Sequence, residues 1–318
     1  MFEKQGSTNH LAPAPQESEI HLPHRSGVFS AIASKVGILM LGASVGAVAT
    51  CQKAYGVVEL NGSSDSQYVG LGLNGAASSV FIPIANSYGG SFCSGVCLNP
   101  NWVLTAAHPF TDPSGNVNGT AEGVLLGTPL TASSSLDPVL ASYIFPGFNN
   151  SGNGPDLMLL QLASPLSVPT LTIGTATPGS VVTSFGYGAY GTPATGMNEA
   201  DGNLRGWQAT VNSQVNVGYN SAYFQMTDYG FNNSGLINGM AGEGDSGGGA
   251  FNSLGQLVGI TTAASSPSDP TGNTIYDNIS SPAVISWENS VMGVPEPSTF
   301  GLVAVGGALL AASGLRKR

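Results

Sequence analysis

Basic side chains are nearly missing from this 318-residue chain, which has eight Lys and Arg against eighteen Asp and Glu. Between Thr50 and Gly293 only Lys53 and Arg205 are basic, while fourteen residues are acidic. Nucleic-acid binding needs clustered cations to neutralise phosphates, so that class of function is excluded. Charge of either sign is scarce, at 8% of residues, against roughly 25% in an ordinary soluble protein. The polar share comes from Gly, Ser, Thr and Asn, which favour turns and short strands over long charged helices. Cysteine is scarce too. The three present show no spacing that would build a zinc or iron–sulfur site, and no metal or cofactor is expected. Cys93 and Cys97 are four apart in an expected strand. At about 3.3 Å per residue their α-carbons stand ~13 Å apart, beyond the ~7 Å a disulfide spans. Two buried free thiols are the expectation, with a bridge from Cys51 to one of them as the alternative.

Long apolar runs are confined to the two ends. Lys35 precedes Val36-Gly37-Ile38-Leu39-Met40-Leu41-Gly42 and small apolar residues as far as Ala49. A positive flank, an apolar core and Ala47-Val48-Ala49 describe a signal peptide cut after Ala49 by signal peptidase, with a retained signal anchor as the alternative. Residues 1–49 are thus an extension and leader, and 50–65 a short linker. The other end carries Val294-Pro295-Glu296-Pro297-Ser298-Thr299, an apolar run from Phe300 to Leu315, and Arg316-Lys317-Arg318. That run is marginal for spanning ~30 Å of hydrocarbon, and the basic cluster would stay on the cytoplasmic side. Over residues 294–318 these parts, in this order, resemble the PEP-CTERM sorting tail of exported bacterial proteins. The resemblance implies processing by an exosortase-type enzyme; a plain membrane anchor is the alternative. Both readings put the intervening domain at the cell surface or outside the cell.

From about Ser66 to Met292 short apolar or alternating runs are broken by Gly, Pro, Asn and Ser, as in Ser79-Val80-Phe81-Ile82-Pro83-Ile84 and Val181-Val182-Thr183-Ser184-Phe185. Many short strands with turn signals imply a sandwich or barrels. Only Ser286 to Val291, after Pro282, reads as a terminal helix. Two strand-rich halves meet near Ser164-Pro165-Leu166-Ser167-Val168-Pro169.

Past the leader a single histidine remains, His108, in Trp102-Val103-Leu104-Thr105-Ala106-Ala107-His108. Downstream lie Asp156, heading Leu157-Met158-Leu159-Leu160, and Ser246 in Gly242-Glu243-Gly244-Asp245-Ser246-Gly247-Gly248. A serine hydroxyl is a poor nucleophile until a neutral imidazole takes its proton, and a carboxylate must hold that imidazole in the right tautomer. The glycines around Ser246 let the backbone turn sharply and aim amide N–H groups at a reacting carbonyl. These are the parts of an acyl-transfer site, whose turnover would climb with pH as the imidazole loses its proton.

In this His, Asp, Ser order, with Phe92-Cys93-Ser94-Gly95 before the histidine and Phe185-Gly186-Tyr187-Gly188 between, the domain over residues 66–292 resembles the trypsin/chymotrypsin-like serine proteases. The resemblance implies an all-β fold of two six-stranded antiparallel β-barrels, about 66–163 and 170–290, with a short C-terminal helix. It implies a serine endopeptidase acting on peptide or protein substrates. Ser246 would be the nucleophile, His108 the general base and then acid, and Asp156 its orienting carboxylate. The amides of Gly244 and Ser246 would form the oxyanion hole. Met240 falls on the pocket floor, with Thr262, Ala263 and Ala264 on one wall and Thr274 opposite. An apolar floor would leave a cationic side chain unpaired, so uncharged small or apolar residues are expected at the cleavage position; a shape-filling role for Met240 stays open. The chain departs from the family pattern in two places. Pro109 stands where relatives have a cysteine, so Cys93 lacks that partner. No Arg or Lys lies just before a family-like start near Tyr68-Val69-Gly70, so the ion pair that a new amino terminus makes with the residue matching Asp245 has no evident source. Two other functions stay open: a catalytically silent adhesion or matrix protein that keeps this fold, and an esterase without peptidase activity.

Overall fold

Strands dominate because β-branched and aromatic residues come in short runs that Gly, Pro, Asn and Ser cut off. The computed structural model describes residues 57–293 apart from 88–89, 113, 150–153, 216–222, 228–234 and 266–271. The expected leader, Cys51 and the carboxyl-terminal tail lie outside those residues.

The first half is a curled antiparallel sheet. Its strands are β2 (Ser79–Asn86), β3 (Ser91–Asn99), β4 (Trp102–Thr105), β5 (Gly119–Ala121), β6 (Val124–Leu126), β7 (Leu136–Asp137), β8 (Val139–Ile144) and β9 (Met158–Leu162). They run in the order β7-β6-β2-β3-β4-β9-β8, with β5 on β2. Side chains alternate between faces along a strand. Val80, Ile82 and Ile84 of β2 therefore share one core with Cys93, Cys97, Val103, Met158 and Leu160. The opposite faces of β3, β4 and β9 send Val96, Leu98, Leu104 and Leu159 into a second core shared with Phe185, Tyr187, Leu257 and Ile260 of the other half. Burial on both faces is why Leu157-Met158-Leu159-Leu160 is an unbroken apolar run rather than an alternating one.

The second half closes as a six-stranded barrel. β10 (Val181–Gly186), β13 (Arg205–Val215), β14 (Tyr223–Thr227), β18 (Asn273–Asn278), β17 (Leu257–Ala264) and β16 (Gly249–Phe251) follow one another round it. Val182, Ala209, Val211, Ala250, Val258 and Tyr276 fill its interior. The architecture is the expected pair of antiparallel barrel-type halves. The second is closed, and the first is an open half-barrel among the described residues.

A small third sheet was not legible in the sequence. β1 (Val57–Glu59) lies between β11 (Tyr190–Thr192), to which it is parallel, and β15 (Gly239–Met240); β12 (Gly196–Asn198) completes the order β12-β11-β1-β15. Helix α1 (Asp65–Gly72) follows, with Ser64 and Gln67 forming a capping box. Tyr68-Val69-Gly70, the family-like start, therefore sits inside a helix, and the Tyr68 hydroxyl donates to the Asn238 carbonyl. The terminal helix α2 runs Pro282–Met292, four residues earlier than expected. Pro282 opens it at a first-turn position, where its missing N–H costs nothing, and the Ser281 hydroxyl accepts the Val284 N–H. Trp287 of α2 packs on Phe145, ring centroids 5.2 Å apart, tying the helix to the first half. No helix among the described residues is long and apolar enough to cross a membrane. Cys93 and Cys97 are both free and buried. Burial pushes each thiol up to about 12.

Candidate active site

β4 ends at Thr105, and Ala106-Ala107 carry the chain into a single 3-10 turn, His108–Phe110, with Pro109 in its first turn. Asp156 stands just before β9, which pairs with β4 so that Thr105 lies opposite Met158. This register sets the two side chains beside each other although forty-eight positions separate them. Asp156 Oδ1 accepts the N–H groups of Ala107 (2.8 Å) and His108 (2.7 Å), and Oδ2 meets His108 Nδ1 at 2.5 Å. One carboxylate thus holds both the loop and its ring. A carboxylate only accepts, so the proton lies on Nδ1 and the Nε2 lone pair is left facing outward. Ser246 Oγ lies 2.9 Å from that Nε2. Asp156 is buried, while the imidazole keeps 30% side-chain exposure. A substrate can therefore reach the histidine, and water reaches its carboxylate far less.

Ser246 belongs to the turn 242–248 between β15 and β16. Gly244 and Gly247 adopt φ of +90° and +86°, the left-handed region, which residues with a Cβ rarely enter. The turn is fastened at several points. Ser94 N–H donates to the Ser246 carbonyl at 2.9 Å, and the Ser94 hydroxyl donates to the Gly244 carbonyl at 2.8 Å while accepting the Tyr187 N–H. Gly247 N–H donates to the Thr261 carbonyl at 2.7 Å. The N–H groups of Gly244 and Ser246 have no protein acceptor among the described residues. They are free to serve an oxygen from outside.

Asp245 points the other way, into the interior. Its carboxyl accepts the N–H groups of Gly188 (2.9 Å) and Gly242 (3.0 Å). Burial pushes it up to about 7 against the pull of those two N–H groups and, more weakly, of the Arg205 charge. A Cβ at Gly186 would lie 2.1 Å from Asp245 Oδ1, which explains one glycine of Phe185-Gly186-Tyr187-Gly188 by close approach. The partner that the sequence left open for Asp245 is thus a pair of peptide N–H groups.

The expected pocket residues fall in one region with different roles. Met240 is buried on β15 against Val58 and Met197. Thr274 is buried, and its hydroxyl oxygen accepts the Ala241 N–H at 2.9 Å, tying the stretch after Met240 to β18. Ala264 is the cross-strand partner of Thr274 and Ala263 that of Ile275; both alanines are exposed near the end of β17. The Thr262 hydroxyl donates to the Ile275 carbonyl at 3.4 Å, so it is turned into the barrel wall.

Two residues at the site were not singled out from the sequence. Ser94 lay unremarked within the quoted Phe92-Cys93-Ser94-Gly95 stretch. Asp277, on β18, accepts the backbone N–H of Asp156 through Oδ2 at 2.7 Å. Burial, and then the Asp156 charge, hold its carboxyl well above the usual carboxylate range. Its sequence neighbours, Tyr276 and Asn278, carry no local sign that this strand acid is buried, a costly placement for a carboxyl group. Among the described residues no group of His, Cys, Asp and Glu is arranged to hold a metal ion.

The model of the trypsin family matches residues 74–287, more than half of the chain, and the match runs from just before β2 into α2. With that match, the chain belongs to the trypsin family and is a serine protease of that family, whose substrates are peptides or proteins.

Proposed function

We propose that this protein is an exported serine endopeptidase that hydrolyses peptide bonds through an acyl-enzyme, with Ser246, His108 and Asp156 as its catalytic residues. The observation that carries this reading is the hydrogen-bonded series from Ser246 Oγ through the His108 ring to the Asp156 carboxylate. His108 Nε2 takes the hydroxyl proton as Oγ attacks the scissile carbonyl carbon. The new charge falls on the carbonyl oxygen, where the Gly244 and Ser246 N–H groups receive it; one such donor is typically worth about 10²–10³ in rate. Nε2 then gives its proton to the leaving amine as the C–N bond breaks. Water repeats the sequence on the ester, and Asp156 steadies the imidazolium in both halves. Met240 and the adjoining alanines favour an uncharged small or apolar residue at the cleavage position, because a cation there would be buried without a partner.

Asp245 already accepts two peptide N–H groups. The proposed enzyme therefore needs no new amino terminus to fold its catalytic turn. Export follows from the leader-like segment before Thr50, and surface sorting from the segment after Gly293.

Covalent labelling by a fluorophosphonate probe tests the nucleophile. Wild-type protein should label, Ser246→Ala should not, and His108→Ala should lower turnover by as much as about 10⁶. Labelling that persists in Ser246→Ala would sink the assignment. A mass-spectrometric digest of a mixed peptide library reads the cleavage preference. Mature protein that neither labels nor cleaves would favour the silent adhesion reading, and turnover of esters alone the esterase one.

A further inference from the structure

Behind the proposed catalytic series sits a second acid that the chemistry above does not use. Along β18 side chains alternate: Tyr276 enters the barrel core, and Asp277 turns the opposite way, toward Asp156 of the first half. Asp277 has no solvent exposure. Its Oδ2 accepts the Asp156 N–H at 2.7 Å, and its Oδ1 is buried with no hydrogen-bond partner among the described residues. Its cross-strand partners are Ile260 on β17 and Tyr223 on β14, and among the described side chains the titratable group facing it from a neighbouring element is Asp156. A charged carboxylate here would have one oxygen unsatisfied and a second negative charge close by, and both disfavour ionisation. The un-ionised acid keeps what the geometry uses, an oxygen aimed at a peptide N–H. Burial and the neighbouring charge push the group the same way.

We propose that Asp277 is a positioning residue that works as an uncharged carboxylic acid, anchoring the backbone at Asp156 and through it the carboxylate that holds His108. The inference rests on the serine-protease reading, and the two can fail separately. Asparagine is uncharged, nearly the same shape and also offers an acceptor oxygen; leucine fills the space and offers none.

Asp277→Asn should keep kcat within about twofold, and the acid limb of its kcat/KM profile should stay in place. Asp277→Leu should lower kcat about 10- to 100-fold with KM little changed, the scale expected when a catalytic group is mispositioned. An acid limb that moves to lower pH in Asp277→Asn would mean that Asp277 carries a charge supporting the imidazolium, and would overturn the proposal. Full kcat in Asp277→Leu would overturn it as well. Carbon-13 NMR of aspartate-labelled Ser246→Ala protein supplies a readout without turnover. One carboxyl signal should hold the un-ionised position from about pH 5 to 8 and vanish when Asp277→Asn is added. The downfield proton of His108 Nδ1 should survive Asp277→Asn and broaden or vanish in Asp277→Leu. If wild-type protein fails to label with fluorophosphonate, the protease reading falls, while these NMR signals still decide the state and role of Asp277.

Discussion

Acidic side chains cluster in two regions of this molecule, part-exposed at Asp65 and Asp201 in one and buried in the other, and they are accommodated by different means. In the first, β1, α1 and the loop before β13 bring Glu59, Asp65 and Asp201 around Arg205, whose side chain has no exposure. The guanidinium donates to Asp65 Oδ1 at 2.6 Å and Oδ2 at 3.2 Å, and to the two Asp201 oxygens at 2.9 and 3.0 Å, while its Cζ lies 3.5 Å from the centre of the Tyr190 ring. Burial works to raise the Asp65 and Asp201 carboxyls, but the Arg205 hydrogen bonds prevail and leave both below the usual range. In the second, Asp156, Asp245 and Asp277 receive hydrogen bonds from peptide N–H groups and one imidazole, with no cation in contact. Arg205 is the sole Lys or Arg among the described residues. A domain so poor in bases has one guanidinium to place, and it clamps the amino-terminal strand. The site instead relies on fixed peptide dipoles and on keeping some acids protonated. No permanent cation there competes with the imidazolium that the proposed chemistry forms.

Removing the clamp should have the largest effect. Arg205→Leu leaves Asp65 and Asp201 without their cation. Because their side chains keep 40% and 33% exposure, the loss should be about 1.5–3 kcal/mol, the scale of hydrogen bonds to charged groups, rather than that of a fully buried pair. Arg205→Lys should recover only part of the loss, because an ammonium cannot reproduce the two-pronged contact with each carboxylate. Urea unfolding of the Ser246→Ala background measures both without self-digestion. A loss under about 1 kcal/mol in Arg205→Leu would show that the cation is not what makes the first region stable. Adding Asp65→Asn and Asp201→Asn to Arg205→Leu should restore stability by giving the clamp the cation-free solution of the second region.

The two regions also differ in their response to pH. Burial pushes Asp245 to about 7, and it pushes Glu59 and Glu288 to about 8, with Asp65 adding to the effect at Glu59. For these acids the folded state holds its proton above the pH at which the unfolded chain has lost it. The stabilisation is full below the unfolded values near 4 and is lost as pH rises through 7 and 8. The lowered Asp65 and Asp201 act in the opposite sense, but their contribution is complete by about pH 5. Stability should therefore fall from about pH 5 to 8, each raised group contributing up to about 1.4 kcal/mol per pH unit. Melting curves of Ser246→Ala across that interval check this, and Glu288→Gln should flatten the slope. A melting temperature that rises over the interval would contradict it.

What could be read before the structure depended on how far a signal reaches along the chain. Trp102–His108, Asp156–Leu160 and Gly242–Gly248 each carry their message within a few consecutive residues, so the three side chains now found in hydrogen-bonded series stood out as local patterns. Their meeting is a property of the β4–β9 register and of the tie from Ser94 to the turn, which no local window contains. Asp277 is 121 positions from the N–H it holds, and nothing local separates it from an ordinary strand acid. The strand Val57–Glu59 is too short to show a period, and its partners lie more than a hundred positions downstream. The start of α2 was read late because Pro282 looks like a stop signal, whereas next to a capping serine it opens a helix. The first half was expected to close like the second, yet closure is decided by the pairing of its end strands β7 and β8, not by their composition.

The smallest expected effect concerns Ser94, which fastens the second region without any charge. Ser94→Ala removes the donor to the Gly244 carbonyl and the acceptor of the Tyr187 N–H, both buried. The Ser94 backbone N–H still holds the Ser246 carbonyl, so the turn stays attached at its nucleophile end and loosens at Gly244. A lost buried hydrogen bond of this kind costs about 1 kcal/mol, or roughly 2–4 °C in melting temperature for a domain of this size. Turnover should fall by more than that stability change suggests, about tenfold, because the Gly244 N–H is one of the two proposed oxyanion donors and acts only when aimed. Binding of a ground-state peptide, which leaves no charge on its carbonyl oxygen, should be almost unchanged, so the loss belongs in kcat rather than KM. Ser94→Thr keeps the hydroxyl and should lose less. An equal loss in Ser94→Ala and Ser94→Thr would point to packing around β3, and a loss confined to Ser94→Ala would place the effect on the hydrogen bond that aims the amide.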